Sequence, residues 1–177
     1  MYSVEDGLLR DEKATGVAKY YDDGGYQFVA MLPNEGVSIE EYIASLSGES
    51  IAALLSKQED AEVKTKLPKF STECSYELIE ILSAMGMPAA FNPETADFSN
   101  MAICDAGNLC ISEVIHKTAI EVNEIGTRAA AVTSVGMGAG SMPPEKIYEL
   151  TFDRPFVYMI IDRNSLPLFI GVVNDVE

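Results

Sequence analysis

The chain has 177 residues, and 47% of them are hydrophobic. That is enough to bury one sizeable core, so a single domain over residues 1–177 is predicted. Acidic residues outnumber basic ones by 28 to 12, and the net charge is -16. This charge argues against nucleic acid as a partner, because phosphate binding relies on clustered lysine and arginine. No apolar window is long enough to span a bilayer, and no basic segment precedes an apolar stretch, so neither a membrane span nor a signal peptide is predicted.

The first predicted element is a β-hairpin. The run from Val17 to Leu32 reads as two strands around Asp22-Asp23-Gly24-Gly25, since glycine supplies the positive φ that a hairpin turn needs. Ser38 followed by Glu41 is a capping-box signal that predicts a helix with its apolar residues at Tyr42, Ile43 and Leu46. A second short helix is predicted at about residues 50–56.

The middle of the chain predicts a strand and a third helix. Residues 62–73 are polar, β-branched and broken by Pro68, which suits a strand at a sheet edge or one that changes sheets. Ser75 is predicted to cap the following helix, which Gly86 and then Pro88 end. The apolar stripe of this helix is expected to consist of Leu78, Ile79, Leu82 and Met85.

Three further strands are predicted after this helix. Residues 109–122 are rich in Ile, Val and Thr, as in a central strand. Residues 156–161 and 166–173 are nearly continuous apolar runs joined by Asp162-Arg163-Asn164-Ser165. Continuous apolarity over strand length predicts that both are fully buried and form the core. The fold class expected from these elements is mixed α and β, with antiparallel sheets dominating.

The three cysteines predict neither a disulfide framework nor a metal site. Cys74, Cys104 and Cys110 cannot all pair within one chain, so free, buried thiols are expected. Cys104, Cys110 and His116 fit no common zinc spacing, and no cation stands close to either cysteine in the sequence to activate a thiol. No metal, no cofactor and no cysteine nucleophile are therefore predicted.

The segment Glu124–Glu145, EIGTRAAAVTSVGMGAGSMPPE, fits none of these elements. It has almost no large side chains, and a loop of this length without secondary structure is functional or disordered. Every second residue from Thr127 to Thr133 is small, while the one charge, Arg128, belongs to the other set. Because a flexible linker has no such parity, the segment is predicted to be able to enter a sheet as a strand.

Two long segments resemble serpin signatures. ISEVIHKTAIEVNEIGTRAAAVT is similar to the serpin hinge, and FDRPFVYMIIDRNSLPLFIGVV is similar to the serpin C-terminal signature. LPKF and the opening YSVEDGLLRDEKATG also resemble bacterial members. The resemblance implies an α+β serpin fold and covers the whole chain, but a complete serpin is about twice as long. The sequence is thus expected to be the C-terminal half of a truncated serpin, acting as an inhibitor and not as an enzyme.

The resemblance also implies where the bait loop lies. The reactive centre loop is expected at about residues 126–144, and its bait bond at Gly140–Ser141, with Ala139–Gly140 as the alternative. The expected hinge and inserting residues are Gly126, Thr127, Ala129, Ala130, Ala131 and Thr133. Outside the loop, the resemblance gives His116 a role in the shutter beneath the inserting strand, where a satisfied core histidine is the alternative. It also pairs Glu124 with Lys69 where the loop enters the sheet.

The partner implied by the resemblance is a serine protease, for which the inhibitor is a suicide substrate. The small residues around Gly140 favour elastase-like or subtilisin-like enzymes. The chain by itself is not expected to trap a protease, and its other expected partner is the missing N-terminal serpin half or a second copy of itself. A non-inhibitory serpin-like binding module is the alternative function, although such members tend to carry bulky or charged hinge residues. An enzyme is disfavoured because the sequence offers no convincing nucleophile, metal site or phosphate loop.

Overall fold

The computed structural model describes residues 1–21, 24–102, 104–105, 107–123, 126–127 and 146–176. They divide into two compact units. Unit 1 is Met1–Phe70 with Glu121–Glu177, and unit 2 is Ser71–Ile120. The strands are β1 Tyr2–Arg10, β2 Ala14–Tyr20, β3 Tyr26–Pro33, β4 Glu59–Lys66, β5 Phe70–Glu77, β6 Ile115–Asn123, β7 Gly126–Thr127, β8 Ile147–Thr151, β9 Phe156–Asp162 and β10 Pro167–Val173. The helices are α1 Ile39–Ser45, α2 Gly48–Leu55, α3 Ile79–Ala84 and a 3-10 helix at Pro88–Phe91. The single-domain prediction stays a prediction.

Unit 1 is built on a seven-stranded sheet with the order β10-β9-β3-β2-β1-β4-β8. Its neighbouring strands are antiparallel except for β4 and β8, which run parallel. The predicted first hairpin is confirmed, since β2 and β3 pair from Ala14↔Pro33 to Tyr20↔Gln27. The expected dominance of antiparallel pairing is also confirmed.

Both predicted short helices of unit 1 are present, and each begins at a serine. The Ser38 side chain accepts a hydrogen bond from the Glu41 N–H, as predicted. The Lys13 ammonium donates a hydrogen bond to the Glu41 carboxylate at 2.8 Å. At α2, Ser47 and Ser50 form the capping box reciprocally. Buried residues of these helices complete a core with β1, β2, β3 and β9 that includes Leu9, Val29, Met31, Tyr42, Ile51, Leu54, Val157 and Met159.

The prediction that the two late apolar runs are both buried is correct for β9 and wrong for β10. From Phe156 to Met159, every side chain of β9 is buried, because both faces of the strand are covered: Val157 and Met159 belong to the core that includes the helices, and Phe156 and Tyr158 contact the ring of Phe70. β10 is the edge strand of the described sheet, and Leu168, Phe169 and Ile170 are 48%, 41% and 55% exposed. Apolar continuity therefore predicted a strand correctly, but its position in the sheet decided the burial.

The polar run predicted at residues 62–73 is two strands. Pro68 lies between β4 and β5, which belong to different sheets, so the prediction of a change of sheets is correct. β4 is not an edge strand, since it lies between β1 and β8. Proline suits this position because it donates no backbone hydrogen bond to a ladder.

Unit 2 contains the third helix, but its cap differs from the prediction. Ser75 lies within β5, and the N-cap of α3 is Leu78. The carboxylate of Glu77 accepts the N–H of Ile79 and that of Val114. The helix ends at Ala84, Met85 is its C-cap, and Gly86 follows with φ 107°. None of its residues is buried, so the predicted apolar stripe is only partly covered.

The predicted central strand is also shorter than expected. β6 begins at Ile115, not at residue 109, and it lies between β5 and β7 in a three-stranded sheet. The expectation of buried thiols is wrong, because Cys104 is exposed and Cys74 and Cys110 are half-buried. Among the described residues, no helix is long and apolar enough to cross a membrane.

Candidate functional site

The candidate site begins where β6 ends. The β-branched residues of β6 favour an extended backbone, and Ile120 and Val122 point inward at 8% and 5% exposure. The chain then reverses direction, and Gly126–Thr127 form β7 antiparallel to the end of β6. The paired residues are Val122↔Thr127 and Asn123↔Gly126. The backbone of the predicted hinge thus already follows β6 as a strand.

Most of the predicted loop lies outside the described residues. This applies to the inserting residues Ala129, Ala130, Ala131 and Thr133, and to both candidate bait bonds, Gly140–Ser141 and Ala139–Gly140. The structure therefore brings together only Gly126, Thr127 and the end of β6. The position of the bait bond stays a prediction.

The described chain resumes just before β8, which pairs parallel to β4 from Glu62↔Ile147 to Lys66↔Thr151. The sequence analysis missed this strand. Its alternation of exposed and half-buried residues, with Tyr148 and Leu150 inward, is the signal that was available. β7 and β8 thus hold the two ends of the predicted loop in ladders of hydrogen bonds.

Arg10 on β1 helps to hold β8. Its guanidinium donates to both carboxylate oxygens of Glu59 at 3.1 Å and lies 5.1 Å from the centre of the Tyr148 ring. The hydrogen bond to Glu59 raises the pKa of Arg10, to which Tyr148 also contributes. The arginine, which is always charged in proteins, connects β1, β4 and β8 at this end of the sheet through Glu59 and Tyr148.

His116 and Lys69 are described, but their predicted roles are not tested. His116 lies on β6 and is exposed, which is not the environment of a core histidine. Its shutter role stays a prediction. Lys69 lies between β4 and β5, while its predicted partner Glu124 is outside the described residues. That pairing also stays a prediction.

The other titratable side chains with shifted pKa values form hydrogen bonds within the fold and are not part of the candidate site. Burial, followed by the charge of Asp11, raises the pKa of Tyr42, whose hydroxyl donates to the Asp11 carboxylate at 3.2 Å. The pKa of Asp162 is lowered chiefly by the Leu166 N–H, and that of Asp97 chiefly by the Ser99 hydroxyl. In the described part of the chain, no group of three or more His, Cys, Asp or Glu residues is arranged to hold a metal ion.

Comparison with known proteins gives a consistent result. The family model described as "Serpin (serine protease inhibitor)" matches residues 4–176. Serpin B10 of Otolemur garnettii is 37% identical over 97% of this chain and 44% of its own length. Iripin-5 of Ixodes ricinus is 36% identical over 87% of this chain and 38% of its own length.

Solved structures agree with this match. The thermophilic serpin tengpin in its native state is 42% identical, with a TM-score of 0.85, over 99% of this chain and 46% of tengpin. This likeness confirms the expected α+β serpin fold. The chain spans less than half the length of these relatives. From its sequence and its fold, the chain belongs to the serpin (serine protease inhibitor) family.

Proposed function

We propose that the protein inhibits serine proteases as a suicide substrate, with residues 126–144 as its reactive centre loop. The observation that carries the proposal is the pairing of Gly126–Thr127 with Asn123 and Val122. An antiparallel strand that has started beside β6 is extended by each further loop residue that joins the ladder. The predicted inserting residues, Ala129 to Thr133, follow directly in sequence.

The proposed mechanism needs no catalytic residue in this chain. The protease serine attacks the carbonyl before the bait bond, and the acyl-enzyme forms as that peptide bond breaks. The freed loop then extends β7 beside β6. About ten new ladder hydrogen bonds at roughly 1 kcal/mol each make this insertion downhill by ~10 kcal/mol. Small inward residues let insertion proceed before water hydrolyses the acyl-enzyme.

The proposed target class is elastase-like or subtilisin-like proteases. Ala139, Gly140 and Ser141 offer little side chain, which suits enzymes with small specificity pockets. The loop from Ala129 to Ser141 contains no lysine, arginine, aspartate or aromatic residue. Faster cleavage by trypsin than by elastase would contradict this assignment.

We further propose that the chain traps proteases only together with the N-terminal half of a serpin or with a second copy of itself. The chain spans less than half the length of its relatives, and the apolar residues of edge strand β10 are exposed. An edge strand of this kind can pair with another chain. Mass in solution, measured by light scattering, distinguishes a monomer from an oligomer, and a strictly monomeric chain that forms a stable protease complex would contradict this part.

Incubation of the chain with elastase tests the proposal directly. We expect cleavage at Gly140–Ser141, read by mass spectrometry, without a complex that survives denaturing electrophoresis. A surviving complex would support inhibition and overturn only the prediction that the chain does not trap alone. Cleavage confined to sites outside residues 126–144 would overturn the loop assignment.

A pair of hinge variants in a trap-competent form tests insertion itself. Thr127→Arg places a charge in the inward set and is expected to turn the inhibitor into a substrate. Ala130→Arg places the same charge in the outward set, beside Arg128 in sequence, and is expected to leave the protease complex intact. Equal complex formation by the two variants would contradict the parity argument.

One observation favours the alternative of a non-inhibitory binding module. Unit 1 has a cavity of about 780 Å³ whose lining includes Tyr20, Tyr26, Gln27, Gln58 and Ile161. Its volume lies within the range of small-molecule sites in general. A protein that binds a small molecule but is not cleaved within residues 126–144 by elastase or subtilisin would favour this alternative.

A further inference from the structure

Among the described methionines, three exposed ones lie in unit 2 and two fully buried ones lie in unit 1, while Met1, at the start of unit 1, is half-buried. In unit 2, Met101 is 82% exposed, Met85 is 78% exposed and Met87 is 40% exposed. In unit 1, Met31 and Met159 are 0% exposed and belong to the core. The same thioether is thus present in one chain at both extremes of solvent access.

The exposed side chains are held on an ordered backbone. Met85 is the C-cap of α3, and its N–H donates to the carbonyls of Ile81 and Ser83. The N–H of Met101 donates to the Phe98 carbonyl at 2.8 Å. These contacts use only backbone atoms, so both thioethers are presented to solvent without any local unfolding.

We propose that Met85 and Met101 are two separate sites of reversible oxidation by hydrogen peroxide. The thioether sulfur gives up two electrons and attacks one peroxide oxygen, and the O–O bond breaks. That oxygen gives its proton to the departing hydroxide and becomes the sulfoxide oxygen, and the hydroxide leaves as water. Methionine sulfoxide is reduced back by the methionine sulfoxide reductases, which need access to the side chain.

Exposure determines both the rate and the consequence of this reaction. At Met85 and Met101, water solvates the polar sulfoxide, so the fold is retained. At Met31 and Met159, the sulfoxide oxygen would be buried without a polar partner, which is unfavourable. Met87 is intermediate in exposure, so its oxidation rate is expected to be lower than those of Met85 and Met101 within unit 2. Both sites are independent of the proposed inhibition.

The test is a time course of the folded chain with hydrogen peroxide, read by peptide mass spectrometry. We expect Met85 and Met101 to oxidise about tenfold or more faster than Met31 and Met159, with Met87 between them. In denaturant, all five are expected to react at similar rates, which shows that burial causes the difference. Peptides with Met137 and Met142, outside the described residues, are scored separately.

Reversal completes the test. Incubation with both classes of methionine sulfoxide reductase and dithiothreitol is expected to restore Met85 and Met101, while circular dichroism stays unchanged throughout. The double variant Met85→Leu/Met101→Leu is expected to consume less peroxide while Met31 and Met159 stay reduced. Equal oxidation of Met159 and Met101 in the folded chain, or loss of the fold as Met85 and Met101 oxidise, would overturn the proposal.

Discussion

In unit 1, α1, α2 and the central strands enclose a core of fully buried side chains, among them Leu9, Met31 and Met159. In unit 2, the buried apolar residues in the described part are Ala96 and Ile120, while Ile81 and Ile115 are about half exposed. Burial of apolar area contributes about 25 cal/mol per Å². Unit 1 is therefore expected to hold most of the folding free energy, and unit 2 to open first in hydrogen exchange.

The largest expected difference between the units comes from deleting a methionine side chain in each. Met159→Ala leaves a cavity in the unit 1 core and is expected to lower the free energy of unfolding by about 2–5 kcal/mol. Met101→Ala, at an exposed position of unit 2, is expected to change it by less than about 0.5 kcal/mol. Urea titrations followed by circular dichroism measure both. Similar losses in the two variants would break the comparison.

The next largest effect on the free energy of unfolding is expected at Gly16, where the backbones of β2 and β3 lie close together. A Cβ on Gly16 would overlap the Ala30 carbonyl oxygen and the Met31 sulfur on the neighbouring strand β3. Gly16→Ala is expected to cost about 1–3 kcal/mol in thermal or urea unfolding. The control is Gly48→Ala at the start of α2, where nothing lies within 4 Å of the added Cβ. If Gly16→Ala left the free energy of unfolding unchanged, β2 and β3 could move apart at this point at no cost in stability, which would contradict the prediction.

The buried hydroxyl of Tyr42 is expected to make the stability of the unit 1 core depend on pH. Tyr42→Phe removes the hydrogen bond to Asp11 and is expected to cost about 1 kcal/mol. The pKa of Tyr42 is raised in the folded state above the ordinary value of 10.0, so its contribution is complete below pH 10 and falls as pH rises further. Stability measured across this range is expected to fall less steeply in Tyr42→Phe than in the parent. Tyr2→Phe, at an exposed tyrosine, is the control and should follow the parent.

The smallest expected effects come from two aspartates in matched turns. Asp162 accepts the N–H groups of Asn164 and Leu166 in unit 1, and Asp97 accepts the Ser99 N–H and hydroxyl in unit 2. Both pKa values are lowered, so both contributions are present above the ordinary carboxyl pKa and are lost as pH falls through the folded value. Asp162→Ala is expected to lower the Tm, whereas Asp97→Ala is expected to affect only hydrogen exchange within unit 2. The reverse ranking would contradict the comparison.

Local patterns in the sequence predicted much of unit 1. The Asp-Asp-Gly-Gly turn and the Ser38 cap identified the first hairpin and α1, because both signals act within a few residues. The burial of β10 was not predictable in the same way. Its residues are as apolar as those of β9, but their exposure depends on the edge position of the strand and on what packs against the two faces of the sheet there, and sequence pattern specifies neither.

The candidate site was predicted unevenly for a related reason. The resemblance to the serpin hinge placed the hinge at Gly126 and Thr127, and the alternation of small residues from Thr127 to Thr133 predicted a segment able to form a strand; the structure has a two-residue strand at Gly126–Thr127. Ser75 failed as a helix cap because β5 continues through it, and a cap signal cannot exclude a competing ladder. The roles of Arg10 and Tyr148 in holding β8 depend on strands far apart in sequence, for which no local pattern exists.

The order of strands in the seven-stranded sheet has a consequence for how the chain folds. β4 pairs with β8 and β3 pairs with β9, so strands that end by residue 66 need partners that begin at residue 147 or later. Closing such distant contacts is slow, because loop entropy is lost before any pairing is gained. During synthesis, the hairpin of β2 and β3 can form early, but its outer edge stays open until residues 156–162 leave the ribosome. Until then, the unpaired edge of β3 is accessible to a chaperone or to non-native pairing with another chain.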